Sequence, residues 1–454
     1  MIAAAFGLLL DVLFRIVPMP PLAEAQASAD DAADQLMRIA TLVGTVTEPS
    51  PRFAFIDIDD KTWFDWGAPL VTPRDRLAVL IDRVSRSKPA AIVVDVDLSF
   101  REAGDGTEFS GSLDGRSKSE EALARQFETY PVDSPPLLLV RSLVPDEAGA
   151  LPKPRPTIFD SVTDKPNIVW AQPSFERDGD GIVRRWLLTL PVCLGDAPQV
   201  MPSVQLAAAW TWWVHPFVRE SLASSLASSR PASCSAAEEP KQVVLKPTPA
   251  APLVFLDGSD TSARIIYAIP WASDATGLGP RSDTGNYKVA VRSARSIERI
   301  PANSAVPGIG GSIAVIGGSY AQSGDWYYTP LGPMPGTVVL INAIDALIQH
   351  GTPKPPPLPI SVMVSVGMIL LTALAVATLR PAVAALAVSA GVAALTVLTL
   401  PLLKSGYLIS LAAPSFGIVA MDLLHSVYEE IKSLRRKGWR WFFKTNTMEE
   451  GEKP

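Results

Sequence analysis

Histidine and cysteine are scarce, at three and two among 454 residues. That excludes zinc-finger arrays and iron–sulfur proteins, which need many such ligands. A basic excess is missing too: 40 Lys and Arg against 46 Asp and Glu leave a net charge of −6. Nucleic acid is therefore not an expected partner, since its binders carry a positive footprint. Charged residues make up only 19% and hydrophobic ones 48%, the reverse of a disordered chain. Between residues 358 and 428 charge almost vanishes, with Arg380, Lys404 and Asp422 its only carriers. No internal repeat is visible.

That uncharged stretch divides into runs at 358–379, 382–403 and about 407–425. Each is near the ~20 residues a helix needs to cross a bilayer, so three transmembrane helices are predicted over 358–428. The tail, 429–454, sets Lys432, Arg435, Arg436, Lys437, Arg440 and Lys444 among Trp439, Trp441, Phe442 and Phe443. Basic flanks stay in the cytoplasm, which puts the carboxyl terminus there, and the aromatic rings suit an anchor on an anionic leaflet. Residues 2–17 are apolar apart from Asp11 and Arg15. A signal-anchor span, a cleaved signal peptide and an interfacial helix remain open. With 1–20 taken as a membrane anchor and 21–50 as a connecting helical segment, the region 51–352 lies in the periplasm of a bacterial inner membrane. With a tail this short no enzymatic domain is expected after the spans, and any output is expected to pass to another chain.

Residues 51–352 read as an α/β domain with a mostly parallel or mixed sheet and flanking helices. Buried strands are predicted at 52–59 and 89–100. The segment 74–87 between them places Leu77, Leu80, Ile81 and Val84 on one helical face, making a strand–helix–strand unit. Further strands are expected at 136–143, 167–173, 181–190, 263–270, 287–293 and 312–319, and helices at 204–214 and 338–351. Stretches 101–120 (Gly, Ser and Asp) and 220–252 (Ser, Ala and Pro) read as loops or insertions.

FAFIDIDDKTWFDWG, followed by TPRDRLAVLIDRV and AAIVVDVDLSF, resembles the opening of the type-two CHASE domain, a cyclase/histidine-kinase-associated sensory extracellular domain. DGDGIVRRWLLTLPV, MPSVQLAAA and IAVIGGSYAQSGDWYYTPLGPMPGTVVLINAIDALIQHG resemble its middle and end. The resemblance covers roughly residues 45–430 and implies an extracytoplasmic sensory role, with three transmembrane helices after the domain. The cytoplasmic effector domain common in that family has no counterpart in this sequence.

Acidic pairs are the main chemical signal. Alternation along a strand puts Asp57 with Asp59 on one face, and Asp95 with Asp97 on one face. Parallel strands would gather both pairs at the carboxyl edge of the sheet, where ligands of open α/β folds bind. Asp60 adjoins the first pair, and Asp325 follows the Gly317-Gly318-Ser319 strand end. Two readings stand side by side. These six aspartates bind a polar ligand or a Mg²⁺ or Ca²⁺ ion, or they cap turns and helix starts and pair with Arg74, Arg76 and Arg101. The metal question is open, and no cofactor is implied. Neither DxD pair fits a haloacid-dehalogenase-type phosphatase: Asp59 is followed by Asp60-Lys61, and Asp97 by Leu98-Ser99. His215, His350 and His425 do not suggest one catalytic site, so no enzyme is expected.

Cys193 and Cys234 are a candidate disulfide in an oxidising compartment, the alternative being a buried free Cys193 and an exposed Cys234. The Trp-rich run 210–213 reads as core or membrane-facing surface. Two functions are consistent with these features. One is a sensor that binds a ligand or protein outside the cytoplasm and signals through a separate membrane or cytoplasmic chain. The other is a non-catalytic accessory or scaffold subunit of a larger membrane complex. The small residues Ala387, Ser389 and Gly391 suit close helix packing, and self-association is a further expectation.

Overall fold

In the computed structural model, residues 51–102, 115–145, 150–214, 218–235, 243–256, 262–281 and 285–352 are described, with isolated positions between 359 and 391. The expected anchor 1–20, segment 21–50, spans 358–428 and tail 429–454 lie almost wholly outside them. Among the described residues no helix is long and apolar enough to cross a membrane. The chain divides into two units, one of residues 34–353 and one of 1–33 with 354–454. The first unit contains the α/β domain.

A seven-stranded sheet forms the centre of that domain. In chain order the strands are β1 (Phe53–Ile58), β2 (Ala91–Val94), β3 (Leu137–Val140), β4 (Ile168–Ala171), β5 (Gly277–Arg281), β6 (Tyr287–Ser293) and β7 (Ile313–Gly318). They lie side by side as β5-β6-β1-β7-β2-β3-β4. All neighbours are parallel except β5 with β6. The helices are α1 (Asp60–Asp65), α2 (Arg74–Ser85), α3 (Lys118–Thr129), α4 (Val204–Trp213), α5 (Val218–Leu226), α6 (Ala294–Glu298) and α7 (Gly336–His350).

Every residue of β1 is buried, so both of its faces must be apolar. Phe53 and Phe55 face a core shared with α4 and α7, whereas Ala54, Ile56 and Ile58 face one shared with α2, α3 and α6. Helices thus cover both sides of the sheet. β1 and β2 are not neighbours, because the late strand β7 lies between them. Its continuous apolar run Ile313–Ile316, buried throughout, suits that central place.

Several sequence expectations shift. The second strand stops at Val94, well short of residue 100. The segment 181–190 is divided between Val183–Leu187, in a small antiparallel sheet, and the hairpin strand Thr189–Leu194. Within DGDGIVRR, Asp178 and Asp180 clamp the buried Arg184 at 2.8 and 2.9 Å. Of 263–270, only the start forms a strand, Ser262–Arg264. Beyond it the backbone N–H groups of Ala268 and Ile269 donate to the Asn342 side chain of α7, which replaces a strand partner. The expected loop 101–120 runs into α3, whose Ser117 and Glu120 form a capping box. The expected insertion 220–252 holds most of α5 and the strand Val243–Leu245. Trp210 is core, donating to Ser221 at 2.9 Å, and Trp212 and Trp213 pack against the same core.

Candidate functional site

Val94 pairs with Ile316 and Asp57 with Gly317, so Asp57, Gly317 and Asp95 fall in one row at the carboxyl edge of β1, β7 and β2. Asp57 is only 6% exposed; its Oδ2 accepts from Ser319 Oγ at 2.8 Å, and its Oδ1 has no hydrogen-bond partner. Asp95 accepts from Thr337 Oγ1 at 2.7 Å. Thr337 lies in the first turn of α7, which begins where the Gly336 N–H donates to the Asp325 carbonyl at 2.8 Å.

Two glycines permit this convergence. A Cβ at Gly317 would stand 2.2 Å from Thr337 Oγ1, and one at Gly336 would stand 2.2 Å from an Asp325 carboxylate oxygen. Real side chains cannot approach so closely, and Gly alone fits where backbone meets a neighbour. The helix end and the carboxyl groups are therefore held together by missing side chains.

Burial pushes the Asp57 carboxyl up to about 7, with Asp59 and Asp60 adding repulsion and Ser319 opposing. Asp95 is raised by burial and by Asp325, and Asp325 is raised by burial against a bond from Tyr327. Such shifts arise when the charged form loses water without gaining a cation. A cleft of about 480 Å³ opens beside this row, with Asp95, Asp97 and Asp325 in its lining along with Phe100, Phe175, Tyr320 and Tyr327.

Three of the six aspartates have a structural task. Asp59 is the N-cap of α1, accepting from the Thr62 N–H at 2.7 Å. Asp60 accepts from the Ala321 N–H at 2.9 Å. Asp97 accepts from the Ser99 N–H and from the Ser142 hydroxyl, and also lines the cleft. Asp95 and Asp97 lie beyond the strand, so alternation does not place them; the end of the ladder at Val94 leaves them in a loop. Among the described residues, none of the three arginines forms an ion pair with these aspartates, although Arg74 lies beside Asp97. Arg74 donates to the carbonyls of Asp97 and Phe100, Arg76 pairs with Glu298 and Arg101 with Glu120. Among the described residues, no three His, Cys, Asp or Glu gather as a metal site, so the Mg²⁺ or Ca²⁺ reading gains no support.

A family model described as the CHASE2 domain matches residues 6–379. The chain belongs to the CHASE2 domain family. The match spans every strand and helix of the α/β domain and agrees with a sensory extracellular domain. No curated protein and no solved structure matches the chain. In this CHASE2 domain, Thr337, Ser319, Tyr320, Tyr327 and Gly336 complete the site without having stood out in the sequence. Their signal was faint: an apolar strand ending in Gly-Gly-Ser, then a Gly-Thr pair opening the last helix.

A second cleft, of about 460 Å³, lies beside the edge strand β4, with Arg141, Asp160, Asp164, Trp170 and Arg219 in its lining. Arg141 pairs with Asp160 and lies 4.2 Å from the Trp170 ring centre, and Arg219 pairs with Asp164 at 2.8 Å. Val192 and Leu194 of this wall flank Cys193, which is bonded to Cys234 with Cα atoms 5.4 Å apart.

Proposed function

We propose that this protein is a membrane-anchored sensor whose periplasmic CHASE2 domain binds a ligand in the carboxyl-edge cleft and signals through a separate chain. The Asp95–Thr337 hydrogen bond carries this reading. It ties the cleft lining to the first turn of α7, a helix of 15 residues and so about 22 Å long. The helix ends at His350, and the chain then leads to the apolar stretch from 358, the proposed spans. A ligand that favours one placement of Asp95 thereby favours one placement of the helix, which is the differential affinity that signalling requires. The role is non-catalytic, with the carboxyl terminus in the cytoplasm of a bacterial cell.

Hydrogen exchange on the full chain in lipid nanodiscs tests the coupling. Thr337→Val speeds exchange along α7 as far as His350 if cleft and helix act as one unit. Acceleration confined to the first turn would count against the sensor. An accessory-subunit reading draws on Phe64, Leu70 and Tyr328, large side chains that are 61%, 96% and 70% exposed. Native purification in mild detergent separates the two: a subunit brings its partner complex along in fixed ratio, and a sensor is recovered without one.

A further inference from the structure

The carboxyl-edge cleft has an unbalanced chemistry. Its lining includes Asp95, Asp97 and Asp325 but no Lys, Arg or His. Among the described residues, no ion pair is made by Asp57, Asp95, Asp97 or Asp325. Asp57, in the same row two strands away and nine-tenths buried, keeps an oxygen without a donor. Four aromatic rings share the lining, Phe100, Phe175, Tyr320 and Tyr327, and Phe175 and Tyr327 meet edge to face at 5.8 Å. Carboxyl groups that lack a counter-charge beside aromatic faces suit one kind of guest, a cation with an apolar body.

We propose that the cleft binds an organic ammonium ion, its charge held by Asp95 and Asp325 and its carbon body set against the aromatic rings. The assignment rests on the sensory reading of the same cleft. Anions are repelled there, and the described residues offer no three-ligand set for a bare metal ion. Nearby cations limit the effect without reversing it: Arg155 stands 5.2 Å from the Phe100 ring centre and Arg177 5.3 Å from that of Tyr327, while Arg74 and Arg141 act on Asp97, which leaves the charge to Asp95 and Asp325. Tyr320 and Tyr327 keep their phenol protons, since burial and Asp325 push both upward. Because Asp95 and Asp325 hold protons more tightly than exposed carboxyls, a bound cation displaces protons. Its affinity therefore rises with pH until the acids are ionised, by up to about tenfold per pH unit for each proton displaced.

The test is calorimetric titration of the full chain in detergent with benzylamine, tyramine, choline and putrescine, using benzyl alcohol and glucose as uncharged controls. At least one amine is expected to bind at least tenfold more tightly than benzyl alcohol. The Asp95→Asn/Asp325→Asn double variant should lose that preference, and wild-type affinity should climb between pH 5.5 and 7. Failure of all four amines to bind, equal binding by the double variant, or equal binding of benzyl alcohol overturns the proposal. Asp95-dependent binding of glucose with no amine bound would refute the ammonium ion while leaving the sensory cleft standing. The exchange experiment on α7 decides the sensory reading separately.

Discussion

The carboxyl-edge cleft and the cleft beside β4 are nearly equal in size, about 480 and 460 Å³, and opposite in charge design. In the cleft beside β4 each lining cation has an acid partner, Arg141 with Asp160 and Arg219 with Asp164. A ligand there must displace pairs that already satisfy one another. At the carboxyl edge, Asp95 and Asp325 repel each other and face no cation in the lining, so the charge is left for a guest. Size does not separate the two; compensation does. A self-paired cleft reads as structure, and an uncompensated one reads as a site.

If the β4 cleft is structural, breaking its supports should cost stability. The largest effect is expected from Cys193→Ser with Cys234→Ser. The bond joins residues 41 apart, and a loop of that length constrains the unfolded chain by about 4 kcal/mol. Urea unfolding should register a loss of that order while leaving binding at the other cleft unchanged. Next comes Arg141→Ala. Its side chain is 7% exposed, packs over Trp170 and neighbours Asp97. Asp160 is itself 44% exposed and is not left stranded, so the cost is that of the lost charge-assisted hydrogen bond and the contact with Trp170, about 2–3 kcal/mol.

At the carboxyl edge the sign reverses. Asp57 has a folded pKa of about 7, well above the ~3.9 of an unfolded aspartate. Between those values the folded state holds the proton and the unfolded state does not. The stabilisation is thus complete below the unfolded pKa and is lost as pH rises through 7. Lowering pH from 7.5 to 5.5 should make this group contribute about 2 kcal/mol more to stability. Asp57→Asn should flatten that slope in urea unfolding followed across pH. A slope unchanged by the substitution would mean that Asp57 ionises in the fold like an exposed acid.

How much of this contrast was legible in the sequence depends on the range of the interactions. The runs at 53–58 and 313–318 announced buried strands, because a central parallel strand is apolar on both faces and needs no distant information. The placement of β7 between β1 and β2 was not legible, since it joins segments more than two hundred residues apart. Among the aspartates, Asp57 and Asp95 could be assigned to one edge from strand ends alone. That Asp59 and Asp60 cap the α1 turn and bond to Ala321 depends on where β1 stops and how a distant loop folds back. Thr337 escaped notice because its importance comes from Gly317, which has no side chain to advertise the contact. The Arg141–Asp160 and Arg219–Asp164 pairs likewise emerge only when loops meet.

The smallest expected effect also sharpens the contrast most closely. Thr337→Val keeps the shape of the first turn of α7 but removes the hydroxyl that donates to Asp95. One hydrogen bond to a partly buried carboxyl contributes about 1 kcal/mol net. That bond also stabilises the ionised form of Asp95, so its loss pushes this carboxyl further upward. The loss in urea unfolding should accordingly be about 1 kcal/mol near pH 8, where Asp95 is ionised, and should shrink toward pH 5.5, where the neutral acid gains less from the donor. A penalty independent of pH would make Thr337 a packing residue, and the link from cleft to helix would then need another carrier.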